Sequence, residues 1–224
     1  MSGARDSAFI VLVILLSMAA PVTRASASAS RSSTGSLDSV PADSSSVACA
    51  AGTIDLGLLP GFSGGEPVVI RLCGLPNLRT QIKDSESNQT NGRYYVPGAN
   101  GHAMVNARVS KQALAMVAAA EAAGVTLVAT SSFRRPEHQK ALYDCFRARG
   151  FGCSPAEPPG YSSHQAGFAI DFVVAQPGSG CSATVTQSDP RWRWLHDHAG
   201  EFGFHQLRTE NWHWDTSTPP ALTC

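Results

Sequence analysis

Residues 159–172 read PGYSSHQAGFAIDF. A loop rich in glycine and serine runs into the apolar segment AIDFVV at 169–174. That segment has the length and β-branched content of a buried strand. His164 stands seven residues before Asp171, the imidazole on the loop and the carboxylate inside the strand. The pair reads either as two ordinary polar residues or as two ligands of one metal ion.

The segment ENWHW at 210–214 bears on that choice. It sets His213 three residues after Glu210, near a second strand. Two imidazole nitrogens and one carboxylate oxygen are a usual donor set for a catalytic zinc ion, which keeps a fourth position open. His164, Asp171 and His213 can supply that set for one zinc ion (Zn2+), and on spacing alone both readings stay open. Glu210 is then a spare carboxylate that can take a proton from the attacking water and return it to a leaving amine. On a regular strand residues 210 and 213 point to opposite faces. Both serve one site only if the backbone bends near Asn211 and Trp212. The other histidines, at 102, 138, 196, 198 and 205, read singly as surface or core residues, and His196 and His198, two apart, do not share a helix face. His138 is expected to be exposed.

Elsewhere helical and strand patterns mix without a regular βαβ repeat, so the fold class is α+β. SKQALAMVAAAEAAG, Ser110 to Gly124, predicts a helix with Ser110 as cap and Gly124 as stop. Leu114, Val117 and Ala118 share its expected inner face. VTLVAT at 125–130 predicts a strand. Pro136 and Glu137 open a helix carrying Gln139, Leu142, Tyr143 and Phe146 at helical spacing. Ser188, Asp189 and Pro190 read as the cap of a short helix over RWRWLHDH. Short strands are expected at 68–72, 93–97, in FHQL and in NWHWD. Of the tryptophans at 192, 194, 212 and 214, core packing is expected for three.

The chain has 224 residues and balances 17 basic against 17 acidic side chains. With no extended basic block, nucleic acid is not expected as a partner. Residues 8–20 form an apolar run of signal-peptide length, so 1–29 are expected to be a signal peptide and the chain to be secreted or to face the cell-envelope exterior. An N-terminal membrane anchor is the alternative. Residues 30–55 read as a Ser/Ala-rich linker, leaving one domain over 56–224. The six cysteines, Cys49, Cys73, Cys145, Cys153, Cys181 and Cys224, suit three disulfides in an exported chain. Cys145 and Cys153 close a short loop. Cys49–Cys73 with Cys181–Cys224 is the least crossed choice for the rest, and the pairing stays open. Asn88 and Thr90 formally match a glycosylation acceptor.

Three segments in order, SSFRRPEHQ, SSHQAGFAIDF and ENWHW, resemble the D-alanyl-D-alanine carboxypeptidases of the vancomycin-resistance and endolysin type. That group shares a zinc fold with lysostaphin-type enzymes and the hedgehog signalling domain. The resemblance covers roughly residues 95–216. It maps the family pattern onto Ser162, His164, Asp171, Glu210 and His213, with Gly167 and Ala169 at its small positions. It implies a small antiparallel sheet with packed helices, a zinc site and a peptidoglycan peptide as substrate. It also implies that Arg134 holds substrate or the developing oxyanion, its planar fork suiting either. Gln139 and Ser162 are expected to support the site. Phe133 stands where the family often has Tyr, Arg135 where a small polar residue is common, and Asn211 where Pro is frequent.

The expected reaction is release of a C-terminal D-alanine by a monomer with no obligate protein partner. An endopeptidase cutting within the stem peptide or a cross-bridge uses the same residues. Two other classes compete. One is a zinc-containing wall-binding or signalling module without hydrolysis, against which Glu210 argues. The other is a serine hydrolase built on Ser162 or Ser163 with His164, for which adjacent residues make a poor nucleophile and base.

Overall fold

The computed structural model describes residues 41–81, 94–149, 152–175 and 188–224. The expected signal peptide, the Asn88 acceptor, the 93 end of the strand expected at 93–97 and Cys181 lie outside these residues. A seven-stranded sheet organises the domain in the order β1-β2-β4-β5-β7-β6, with β3 pairing to β2 beside that path. Its strands are β1 (Ile54–Ser63), β2 (Glu66–Thr80), β3 (His102–Asn106), β4 (Val128–Ser131), β5 (Ala169–Phe172), β6 (His205–Gln206) and β7 (His213–Asp215). All pairs are antiparallel except β2–β4. Among the described residues three α-helices complete the mixed α+β fold: α1 (Ala107–Ala122), α2 (Pro136–Arg147) and α3 (Pro190–His198).

The two faces of the sheet feed two apolar clusters. On β3, Ala103 and Val105 join the larger cluster and Met104 the smaller, as strand alternation requires. The larger cluster takes the inner face of α1, including Val109, Ala113, Met116 and Ala120, together with Trp192 and Trp214. Trp194 and Trp212 pack against it half-buried, so all four tryptophans serve packing. Each fully buried side chain of the size of Met or Leu contributes about 1.5–3 kcal/mol. The smaller cluster holds Ile70, Leu72, Met104 and Phe133. Phe133 is fully buried there, which explains its lack of a hydroxyl: a polar atom would need a partner in apolar surroundings.

Several local expectations are corrected. α1 starts three residues before Ser110 because Asn106 caps it, its side chain accepting from the Arg108 N–H. Ser110 is buried one turn into the helix and donates to the Ala107 carbonyl, while accepting from the Ala50 N–H. Val117 is buried as expected and Leu114 half-buried, but Ala118 faces solvent, and Ala113 and Met116 complete the buried face. The strand expected at 125–130 is shifted to 128–131. α2 buries little: among the described residues Gln139 is its one fully buried side chain, Leu142 and Tyr143 are half-buried, and Phe146 is turned outward. No strand forms at 94–97.

The domain also begins earlier than residue 56. Ala42 and Ser44 are buried, and Ser44 bonds β2 through both its N–H, to the Val69 carbonyl, and its hydroxyl, from the Arg71 N–H. Asn106 Nδ2 donates to the Ala42 carbonyl. Disulfides Cys49–Cys73 and Cys145–Cys153 form as expected, and Cys224 is disulfide-bonded too.

One contact of the β1–β2 hairpin shapes the site. The Phe62 N–H donates to the Gln165 carbonyl and the Gly65 N–H to the Gly160 carbonyl, so the hairpin grips the 160–165 loop at both ends. A Cβ on Gly61 would sit 2.6 Å from the Gln165 oxygen, closer than any side chain tolerates.

Candidate metal centre

Strand register brings the central residues together. Ser131, Asp171 and His213 form a row across β4, β5 and β7, because Ser131 pairs with Asp171 and Asp171 with His213. Side chains of directly opposed residues project from one face. His164 reaches the row from the preceding loop, which is folded by turn bonds from Gln165 N–H to the Ser162 carbonyl and from Gly167 N–H to the His164 carbonyl. Gly167 holds φ +72°, and a Cβ there would lie 2.8 Å from the Asn106 nitrogen. Glycine lets the loop lie against the start of α1.

The three donor atoms form a nearly regular triangle. His164 Nε2 lies 3.1 Å from Asp171 Oδ1 and 3.2 Å from His213 Nδ1, and His213 Nδ1 lies 2.9 Å from Asp171 Oδ1. One face of a tetrahedron with bonds of about 2.0–2.1 Å has edges of roughly 3.3 Å. The donor set fits zinc in size and in chemistry, and all three residues are buried.

Both imidazoles are held from behind. His164 Nδ1 donates to the Ser132 carbonyl at 2.6 Å, which fixes its tautomer and leaves the Nε2 lone pair facing the triangle. Burial and then the charge of Arg134 lower the His164 pKa, keeping it neutral. His213 Nε2 lies 3.0 Å from Asp215 Oδ2 and 3.3 Å from Ser163 Oγ. Burial pushes the His213 pKa down, but hydrogen bonds to Asp171 and Asp215 prevail and raise it to about 10 without a metal. Burial likewise pushes the Asp171 carboxyl up, yet His164 and His213 hold it far below the usual carboxylate range.

Glu210 is not on a strand. The His213 N–H donates to the Glu210 carbonyl at 3.1 Å, closing a β-turn over Asn211 and Trp212. The bend lifts the opposite-face restriction that a regular strand would place on residues 210 and 213. Glu210 is half-buried, and its pKa is raised, first by burial, with Asp171 and Glu157 adding to the effect and His213 and Arg134 opposing it. Its carboxyl therefore sits within electrostatic reach of the triangle.

Arg134 lies half-buried beside the triangle. Its Nη1 donates to Gln139 Oε1 at 2.8 Å and its Nη2 to Ser131 Oγ at 3.0 Å, with Asp171 Oδ2 at 3.5 Å. Gln139 in turn donates to the Glu157 carbonyl at 2.7 Å. The guanidinium is thus aimed at the site by a fully buried amide, while Arg134 Nε is buried without a protein partner. Ser162 contributes its backbone to the loop turn, and Ser163 approaches His213 rather than His164.

The remaining histidines lie apart from the triangle. His138 is half-buried, not exposed, and stacks on Tyr94 at 4.6 Å. His196 and His198 pair with Asp197 and Glu201 on α3. The residue that the pattern missed is Asp215. Only its place two residues after His213, on the same strand face, could have marked it.

The model of the VanY family, D-alanyl-D-alanine carboxypeptidase, matches residues 102–216, half of the chain. The chain belongs to this family. Membership makes it an enzyme of the peptidase class, and the matched region contains every residue of the triangle and Glu210. Among solved structures, the chain is similar to a vancomycin-resistance D,D-pentapeptidase VanY variant from a VanB-type cassette in complex with Zn(II), at 23% identity and TM-score 0.39, covering 53% of this chain and 75% of that one. It is also similar to VanYB in complex with D-alanine-D-alanine, at 23% identity and TM-score 0.40, covering 60% and 84%. A third is the LdcB LD-carboxypeptidase, at 22% identity and TM-score 0.41, where the match covers 53% of this chain and 62% of that one, less than two thirds of its length. A search of the curated proteins found no match. The VanY assignment leaves the β1–β2 hairpin outside the matched residues.

Proposed function

We propose that this VanY-family chain is a zinc-dependent carboxypeptidase that releases the C-terminal D-alanine of peptidoglycan stem peptides. The observation that carries the reading is the buried triangle of His164 Nε2, Asp171 Oδ1 and His213 Nδ1, with edges of 2.9–3.2 Å. Zinc held there supplies Lewis-acid chemistry, polarising a substrate carbonyl and acidifying water. Glu210 takes a proton from the water as its oxygen attacks the carbonyl carbon. The same carboxyl delivers that proton to the nitrogen as the C–N bond breaks. Its raised pKa suits this double duty, since a stronger base is also the better matched acid near neutral pH. Arg134, oriented by Gln139 and Ser131, binds the substrate carboxylate or the developing oxyanion.

Two supports bear on location. The apolar run at 8–20 reads as an export signal, and disulfides such as Cys49–Cys73 and Cys145–Cys153 persist in oxidising compartments. The chain then acts as a monomer on the exterior of the cell envelope.

Digestion of defined muropeptides, read by mass spectrometry with and without a chelator, tests the proposal. Loss of one alanine mass that stops on chelation and returns with Zn2+ is the expected result. Two larger fragments would replace the carboxypeptidase reading with an endopeptidase. Zinc binding without any product would leave a binding module, and turnover indifferent to chelation would sink the metal reading.

A further inference from the structure

We infer that Asp215 is a positioning residue for the metal site, holding His213 in the tautomer whose Nδ1 faces the triangle; the inference rests on the zinc reading above. The two imidazoles of the triangle are braced differently. His164 is braced by a backbone carbonyl, that of Ser132. His213 is braced by a carboxylate, Asp215 Oδ2, at 3.0 Å from Nε2. The Ser163 hydroxyl stands farther from the same nitrogen, at 3.3 Å, and carries no charge. A charged acceptor takes the stronger hydrogen bond, so the Nε2 proton goes to Asp215.

The Asp215 side chain is built into place for this task. It is 2% exposed. Its Oδ1 accepts from the Ser217 N–H at 3.0 Å and the Thr218 N–H at 2.6 Å, and its Oδ2 accepts from the Thr218 hydroxyl at 2.5 Å. These three donors come from the chain just past β7. They leave the Oδ2 oxygen one further bond, which goes to His213. Residues 213 and 215 share a face of β7, while Trp214 packs into the core on the other, so the imidazole and its brace are carried on one rigid strand. A carboxylate behind a ligating imidazole both orients the ring and raises its basicity.

The test uses the whole chain and Zn2+ itself. Zinc affinity is measured by competition with a chromophoric chelator for the wild type, Asp215→Ala, Asp215→Asn and Ser163→Ala. Nitrogen-15 NMR of the histidine rings identifies the protonated nitrogen of His213. The expected result is a roughly 10–100-fold loss of zinc affinity for Asp215→Ala, a smaller loss for Asp215→Asn, and little change for Ser163→Ala. The zinc-loaded wild type should carry the His213 proton on Nε2, with that signal shifted or exchange-broadened in Asp215→Ala. Asp215→Asn preserves the shape and serves if the alanine variant does not fold. Unchanged affinity and an unchanged His213 signal in a folded Asp215 variant would overturn the inference alone, as would a loss confined to Ser163→Ala. A wild type that fails to bind Zn2+ would overturn the metal reading and this inference together.

Discussion

Asp171 stands directly opposite His213 on the antiparallel pair β5–β7, and the carboxylate oxygen lies 2.9 Å from the imidazole Nδ1. Two donors are thereby positioned by backbone register, and only His164 depends on a loop. Replacing Asp171 by Asn keeps the side-chain shape and removes the charge that the two imidazoles surround. Zinc affinity should fall by more than the roughly 10–100-fold expected for loss of an outer partner. Equilibrium dialysis of the purified variant against Zn2+ checks this.

Glu210→Gln removes the proposed proton carrier without touching the triangle. Zinc should stay bound and kcat should fall by about 10²–10⁴, with KM little changed. Steady-state kinetics on a D-alanyl-D-alanine peptide, paired with metal analysis of the same sample, give the answer. Full turnover with bound zinc would remove Glu210 from the mechanism.

Gly167→Ala puts a Cβ 2.8 Å from the Asn106 nitrogen at φ +72°. Left-handed strain at a non-glycine residue costs about 1–3 kcal/mol, and the steric contact adds to it. Urea unfolding should show a lower midpoint at unchanged m-value. Because Gly167 follows His164 in the same turn, zinc affinity should drop as well.

Asp189 caps α3, its Oδ1 accepting from the Arg191 N–H while the Arg191 guanidinium binds both carboxylate oxygens at 3.0 and 2.8 Å. Burial pushes its pKa up, but these bonds and the Arg191 charge hold it below the usual carboxylate range. A depressed folded pKa stabilises the fold fully above the unfolded pKa, and that contribution is lost as pH falls through the folded one. Asp189→Ala should therefore cost about 1 kcal/mol at neutral pH. The gap from the wild type should close as the pH drops below about 4. Thermal melts at both pH values test the sign.

Removal of the Cys49–Cys73 disulfide frees a stretch with a sequence separation of 24. Loop-closure entropy puts the loss at about 3–4 kcal/mol. A Cys49→Ser, Cys73→Ser double variant compared by urea unfolding would measure it, and a loss below about 1 kcal/mol would show that the reduced chain keeps residual structure.

The chemistry of the site was more legible in the chain than its framework. His164, Asp171 and His213, which the structure brings into one triangle, stand out because candidate metal ligands come from a few residue types, and their spacing survives any detail of the loops between them. The β1–β2 hairpin was hidden by its own composition. Pro60 sits on the edge strand, where its missing N–H costs no ladder bond, and Pro76 falls in the irregular register between Leu75 and Arg79. Both prolines argue against strand in a local reading. The start of α1 was misplaced because Ser110 and Asn106 are equally good caps by type. Tertiary bonds chose between them, burying Ser110 against Ala50. Asp215 escaped notice because a carboxylate that works through a neighbour leaves no spacing of its own.

The hairpin grip on the 160–165 loop sets a limit on how this catalytic unit can be shortened. A fragment cut to 102–216 would retain Arg134, His164, Asp171, Glu210, His213 and Asp215, every group assigned a task at the metal. It would also shed the Phe62 and Gly65 N–H groups that hold Gln165 and Gly160, and the Ala42 carbonyl bound by Asn106. The proposed chemistry lies in the family region, while residues Ala42, Phe62 and Gly65, outside it, help to stiffen the loop that carries His164.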